Sequence, residues 1–136
     1  LAEYTPAPFL FFELAATVID PRNTSAVRPA NDILPYQPEL TVVPRMELRS
    51  RIRAAPVDAG KLSVTYFYES SRYADPAGLV VIPEQGSLDV DAEVGAFRDR
   101  VVLRGRLVNL LDQTRFDLIG YPLPGRAVYV ALEAKW

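Results

Sequence analysis

The sequence predicts an all-β fold: an antiparallel up-and-down meander of six long strands plus a stub. Three observations carry that expectation. Apolar and polar residues alternate at period two along most of the chain. Proline gathers in the connections and is absent from the alternating stretches apart from Pro44. The connections run short, long, short, long, as in successive hairpins with tight turns at one end and long loops at the other.

The elements follow in order. The stub is Leu1–Tyr4, closed by the break Thr5-Pro6-Ala7-Pro8. Phe9–Ile19 is a less regular strand with Leu10, Phe12, Leu14, Ala16 and Val18 on one face. A long loop, Asp20–Pro38, holds Pro21, Pro29, Pro35 and Pro38. Arg45–Arg53 sets Met46, Leu48 and Ile52 against Arg45, Glu47, Arg49, Arg51 and Arg53. The short turn Ala54–Gly60 leads to Lys61–Ser71, where Leu62, Val64, Tyr66 and Tyr68 oppose Ser63, Thr65, Phe67 and Glu69. After the loop Tyr73–Gln85, Gly86–Phe97 alternates strictly, with Leu88, Val90, Ala92, Val94 and Ala96 against Ser87, Asp89, Asp91 and Glu93. Arg98-Asp99 is a two-residue turn into Arg100–Leu107. The last long loop is Asp112–Pro124, and the last strand is Val128–Trp136.

Composition removes several classes of function. The 136 residues suit about one domain on a prior of roughly 100–200 residues each. With 15 Lys and Arg against 17 Asp and Glu, the chain does not read as a nucleic-acid binder. Cys and His are both absent, which excludes disulfides, thiolate or imidazole metal ligands and Ser-His-Asp chemistry. No acid–base pair, phosphate loop or nucleophile elbow stands out, so the chain is not read as an enzyme and no cofactor is expected. The first residue is Leu and no signal segment follows, as expected for a piece of a longer chain.

Alternation leaves open whether the apolar face meets a protein core or lipid. No run approaches the ~20 apolar residues of a membrane helix, but strands of about 9–12 residues match the ~9–11 of a tilted membrane strand. Phe9, Phe11, Phe12, Phe97 and Trp136 fall at the short-turn end, and Tyr66, Tyr68 and Tyr73 towards the long-loop end. Two aromatic bands at opposite strand ends are the girdle pattern of a membrane barrel. The polar faces carry full charges, and the chain closes an alternating strand on Trp136. These features favour a part of a transmembrane β-barrel, apolar side outward. With Arg98-Asp99 as the turn, Glu93 faces Arg104 and Asp91 faces Arg106, while Val94 faces Leu103, Ala92 faces Gly105 and Val90 faces Leu107. One register therefore satisfies both faces, with the charge pairs towards the lumen.

The run Asn109-Leu110-Leu111-Asp112, then Arg115-Phe116-Asp117, Gly120-Tyr121-Pro122 and Pro124-Gly125-Arg126, then a final strand ending at Trp136, resembles the carboxyl end of a TonB-dependent outer-membrane receptor. Leu111 stands where the family usually has phenylalanine, and Trp136 replaces the commoner terminal phenylalanine. Leu34-Pro35-Tyr36-Gln37-Pro38 and Ser70-Ser71-Arg72-Tyr73-Ala74-Asp75 are also similar to the family. The resemblance implies that residues 1–136 are the carboxyl-terminal segment of a barrel of about 22 strands with a plugged lumen. Plug domain and earlier strands would lie outside this chain. It further implies a bacterial outer-membrane location with a periplasmic carboxyl terminus. Implied partners are the rest of the barrel and its plug, the TonB complex through the missing amino-terminal part, the barrel-assembly machinery and outer-membrane lipid. The implied function is active uptake of a scarce ligand such as a ferric siderophore, cobalamin or a glycan. Val128, Val130, Leu132, Ala134 and Trp136 would form the assembly signal, or Trp136 an interface anchor alone.

Other readings stand beside this one. Arg45, Arg49, Arg51 and Arg53 form a positive stripe for a ligand or plug contact, or simply a barrel-wall face. Asp89, Asp91 and Glu93 suggest a calcium ladder, but arginines on the next strand should neutralise them, and no metal site is assigned. Arg126 reads as fixing loop-to-strand geometry. Asn23-Thr24-Ser25 is a sequon too short to carry weight. Two alternatives of other classes are a small outer-membrane barrel with a structural or adhesive role and a soluble β-sandwich binding module.

Overall fold

The computed structural model describes residues 1–24, 33–51, 56–98 and 100–135. Arg53 and Trp136, like Pro29, Ile52 and Asp99, lie outside the described residues. Among the described residues the fold is all-β. The strands are β1 (Ala2–Ala7), β2 (Leu10–Val18), β3 (Leu40–Ser50), β4 (Val57–Glu69), β5 (Arg72–Tyr73), β6 (Val81–Ile82), β7 (Gln85–Ala96), β8 (Val101–Val108), β9 (Phe116–Leu118), β10 (Tyr121–Pro122) and β11 (Ala127–Ala134).

One antiparallel sheet takes seven of them, in the order β1-β2-β3-β4-β7-β8-β11. The stub and the six long strands of the sequence reading are these seven. Each long strand pairs with the next long strand in sequence, as a meander requires. The sheet is open: β1 and β11 each keep one edge unpaired. The other four strands form two small hairpins, β5–β6 and β9–β10, set in the long loops.

Several boundaries differ from the sequence reading. β1 runs through Pro6, with an irregularity between Tyr4 and Ala7, so Thr5-Pro6-Ala7 is strand rather than break. An edge strand tolerates Pro because nothing asks for its N–H. β3 begins at Leu40, which puts Pro44 inside it. The β3–β4 ladder accordingly jumps from Val42↔Tyr68 to Arg45↔Thr65, while Pro44 keeps its register opposite Leu14 of β2. β4 begins at Val57, so 57–60 are strand rather than turn. Val57–Gly60 alternates weakly by sequence, but Gly95 and Ala96 of β7 supply a partner edge.

The β7–β8 register is Val90↔Leu107, Asp91↔Arg106, Ala92↔Gly105, Glu93↔Arg104 and Val94↔Leu103, as alternation on both strands demands. The turn at its end closes with Arg100 N–H donating to the Phe97 carbonyl at 3.4 Å. Phe97 and Arg98 both have φ in the left-handed region, and Pro56 and Asp58 at the entry to β4 support them. Phe97 N–H donates to the Pro56 carbonyl at 2.9 Å and Arg98 N–H to Asp58 Oδ2.

Rows across the sheet show two chemically distinct faces. One row reads Phe12, Met46, Val64, Val90, Leu107, Val128; the next reads Leu10, Leu48, Leu62, Ala92, Gly105, Val130. On the opposite face a row reads Phe11, Glu47, Ser63, Asp91, Arg106, Tyr129, and another Arg49, Lys61, Glu93, Arg104, Ala131. Phe11 of the aromatic set therefore sits among the charges, one residue out of phase with Phe12.

Burial is inverted relative to a water-soluble sheet. Among the described residues the buried aliphatic side chains are Ile82, Val102 and the loop residue Pro21, whereas Glu47, Ser63, Arg72, Gln85, Ser87 and Asn109 are all buried. Val130 and Leu132 of the apolar rows are 73% and 71% exposed. No helix of the described residues is long and apolar enough to cross a membrane, which says nothing of strands.

Candidate functional site

The charged face is the region where chemistry-bearing side chains converge. Alternation on β3, β4, β7, β8 and β11 puts every second residue there, and the long-range register brings them side by side. Two clusters result.

The first centres on Glu47 of β3, which is 2% exposed. Arg45 Nη2 donates to its Oε2 at 2.8 Å, Arg49 Nε donates to its Oε1, and Lys61 Nζ lies 3.2 Å from Oε2. Arg45 Nε also donates to Ser63 Oγ at 3.0 Å. Three cations thus share one buried carboxylate. A lone buried carboxylate would be costly, and this arrangement supplies the charge-assisted donors that offset the cost. The positive stripe foreseen at Arg45, Arg49, Arg51 and Arg53, the last outside the described residues, is therefore tied, at its first two members, to an acid between them. Sequence reading placed Glu47 in the alternation but gave it no role. The signal was present: a carboxylate flanked at i−2 and i+2 by arginines on one strand face.

The second cluster spans three strands. Arg104 Nε of β8 donates to Glu93 Oε2 of β7 at 2.7 Å, and its Nη1 to Glu133 Oε2 of β11 at 2.8 Å. Lys135 Nζ lies 3.2 Å from Glu133 Oε1. Arg106 lies between two acids, 3.5 Å from Asp91 Oδ1 and 3.6 Å from Asp89 Oδ2. The carboxylates of Asp89, Asp91 and Glu93 thus each have an arginine partner. Among the described residues no group of three or more acidic side chains is placed to hold a metal ion.

Between the clusters the face is hollow. A recess of about 830 Å³ is lined by Arg49, Arg51, Lys61, Glu93, Arg104 and Lys135, with Phe9 at its rim. A second, of about 740 Å³, lies over Arg45, Ser63, Asp91, Arg106 and Tyr129. Both draw their walls from β3, β4, β7 and β8, the first closed by Lys135 just past β11 and the second by β11 itself, so the sheet is concave on its charged side.

The motif residues at the carboxyl end come together on one corner. Asn109, 1% exposed, sits at φ 52°, a conformation its short polar side chain tolerates better than most. Its N–H donates to Asp89 Oδ1 at 3.0 Å, its Nδ2 to the Gln113 carbonyl at 2.9 Å, and its Oδ1 accepts from Gln113 N–H at 3.1 Å. Leu110 N–H donates to the Leu88 carbonyl at 2.8 Å, extending β8 past its last ladder pair. Asp112 Oδ1 accepts from Arg126 N–H at 2.9 Å. A Cβ at Gly125 would lie 3.0 Å from that same oxygen, so a larger residue there would crowd the Asp112 carboxylate. Asn109 and Asp112 thus join the end of β8 to the start of β11. The part of Arg126 in this join is its backbone N–H. Pro124 and Leu111 are exposed beside it.

Val128, Val130, Leu132 and Ala134 lie on the apolar face of β11. Each is exposed, and the outer edge of that strand is unpaired.

No protein-family model, curated protein or solved structure matches this chain.

Proposed function

We propose that this chain is the carboxyl-terminal barrel segment of a TonB-dependent outer-membrane receptor, working in energised uptake of a scarce ligand. The single observation that carries the membrane part is the inversion of burial: charged side chains lie inside the curve and aliphatic rows face out. Apolar area turned to water forgoes roughly 25 cal/mol per Å², so such rows ask for an apolar surrounding. A bilayer supplies it, and a lumen supplies the polar interior. The two unpaired edges have natural partners in further barrel strands, since closure is what removes sheet edges.

The receptor part rests on the family resemblance, which the corner joining Asn109, Asp112, Gly125 and Arg126 supports by giving those residue types a shared geometric task. Short turns at one end and long loops at the other agree with periplasmic turns and outward loops. On this reading the two recesses face the plug, and Arg45, Arg49 and Arg51 are the wall opposite it. Ligand selection falls to the long loops and to parts outside this chain.

Two experiments test the two halves of the proposal. Cell fractionation followed by gel mobility with and without heating should place the polypeptide in the outer membrane in a heat-modifiable form; a soluble, unshifted protein overturns the membrane half. Reading the coding sequence upstream of Leu1 should reveal several hundred residues of alternating strands behind a plug and a signal peptide. A start codon with a signal sequence close to Leu1 leaves a small barrel instead and overturns the receptor half.

A further inference from the structure

We propose that hairpin β9–β10 is a flap gripped by Gln85 and latched by Arg72, and that Arg72 is the residue that couples it to β5–β6. The contacts that hold the flap all lie at the long-loop end of the sheet.

Both hairpins form two-stranded sheets of their own, and no backbone ladder ties either to the main sheet. What ties β9–β10 down is the peptide group of Phe116. Gln85, at the start of β7, grips both sides of it: Nε2 donates to the Phe116 carbonyl at 3.0 Å and Oε1 accepts from the Phe116 N–H. A side-chain amide here replaces one rung of a ladder. Arg72 adds a charged donor to the same carbonyl through Nη2, while its Nη1 donates to Glu69 Oε1 at 2.6 Å. Arg72 belongs to β5, Glu69 to β4 and Phe116 to β9, so one guanidinium joins three elements.

The latch is buried and neutralised. The side chain of Arg72 is 4% exposed and that of Glu69 15%. A charge-assisted bond in such a setting is among the stronger single contacts available. Beside it the Arg115 guanidinium stands 5.1 Å from the centre of the Phe67 ring, and its Nε is buried without a hydrogen-bond partner. The base of the flap closes on itself, with Leu123 N–H donating to the Arg115 carbonyl at 2.8 Å. The flap is thus internally paired, gripped at the Phe116 peptide, and in contact with the sheet at its base through Arg115 on the Phe67 ring of β4. Segments held by few contacts open locally long before the whole fold does.

Amide exchange of the chain in detergent micelles tests the latch. The wild-type Phe116 and Leu123 amides should be protected, but less than the β3–β4 amides. Arg72→Met keeps the bulk and removes the donors. It should speed exchange about tenfold or more at Phe116 and Leu123, and also at Ala74 in the other hairpin, while β3–β4 amides stay as they were. Gln85→Met should free Phe116 and Leu123 and leave Ala74 protected. Arg72→Met that frees Ala74 alone, or that leaves both hairpins protected, overturns the proposal. If Arg72→Met loses the β3–β4 protection as well, Gln85→Met decides: release confined to 116–123 supports the grip, and unchanged exchange there overturns it.

Discussion

The seven-stranded sheet and the two hairpins at its long-loop end are held by opposite means. In the sheet, backbone ladders run eight to twelve pairs along most strand contacts, and side chains choose the register by matching charge to charge and methyl to methyl. In the hairpins the ladder contributes two pairs each, and a few separate contacts do the holding: Gln85 and Arg72 on Phe116, Asp75 on its own turn, and single bonds from Tyr36 N–H to the Tyr73 carbonyl and from Ile33 N–H to the Pro76 carbonyl. A ladder spreads its stability over many equivalent bonds, so single changes on it act through what they do to a face. A side-chain grip concentrates it, so single changes there act locally and completely. The same division separates the part that must sit still in its surroundings from the part free to open.

The largest expected effect bears on what surrounds the sheet. Val130 lies mid-strand on β11 and points away from the charged face. If that face meets lipid, Val130→Arg should cost about 2–4 kcal/mol, and Ala134→Arg nearer the strand end about 0–1 kcal/mol. Urea titration in lipid vesicles, read by gel mobility, measures both. A flat response along the strand would mean that the apolar rows meet protein or water instead.

Next comes the buried acid of the inner face. Removing Glu47 leaves Arg45, Arg49 and Lys61 to find water. Breaking a fully buried pair costs about 3–5 kcal/mol. Here the three cations keep 38%, 66% and 42% side-chain exposure and rehydrate in part. Glu47→Gln should therefore lose about 1–3 kcal/mol in the same titration. A neutral outcome would show that the cluster is held by the ladder around it and contributes no stability of its own.

Smaller still is the register pair. A double-mutant cycle on Glu93→Gln and Arg104→Gln should return a coupling of about 0.2–1 kcal/mol, shrinking with added salt. Arg104→Gln alone should cost more than Glu93→Gln, because Arg104 also holds Glu133 at 2.8 Å. Equal single effects would place Glu133 outside the network.

How far the sequence spoke follows the same division. Period-two alternation identified the six long strands of the main sheet, with β1 read only as a stub, and the opposite charges of Asp91, Glu93, Arg104 and Arg106 determined one register because a one-residue slip would have put them against Leu, Gly, Ala and Val residues. Strand ends were harder. Pro44 and Gly60 look like boundaries by composition, yet neighbouring strands carry the ladder past both. The hairpins were illegible, since two-pair strands have no period to detect. Their anchors, Gln85 with Phe116, Arg72 with Phe116 and Glu69 with Arg72, join residues 31, 44 and 3 positions apart through contacts that only the folded sheet creates. Glu47 was visible as a residue and invisible as a centre, because its burial depends on how the sheet curls.

The smallest effect is the most local. Asp75 accepts from the N–H groups of Val80 at 2.6 Å, Ala77 at 2.9 Å and Leu79 at 3.2 Å, and its carbonyl accepts from Gly78 N–H at 3.2 Å. Gly78 supplies the φ of 70° that lets the chain wrap around the carboxylate. These donors, that of Val80 first, hold the Asp75 carboxyl below its ordinary value of 3.8. A carboxyl depressed on folding stabilises the charged, folded turn above its ordinary pKa, and that contribution disappears as pH falls through the depressed value. The amides of Ala77, Leu79 and Val80 should thus keep their protection down through the normal carboxylate range and lose it only below. Asp75→Asn, which keeps one acceptor oxygen, should leave weaker protection with no pH step. The β4–β7 amides should follow neither change, since the ladder there owes nothing to the clasp. If they moved together with Val80, the turn and the sheet would be one cooperative unit, and the contrast between ladder and grip would not extend to β5–β6.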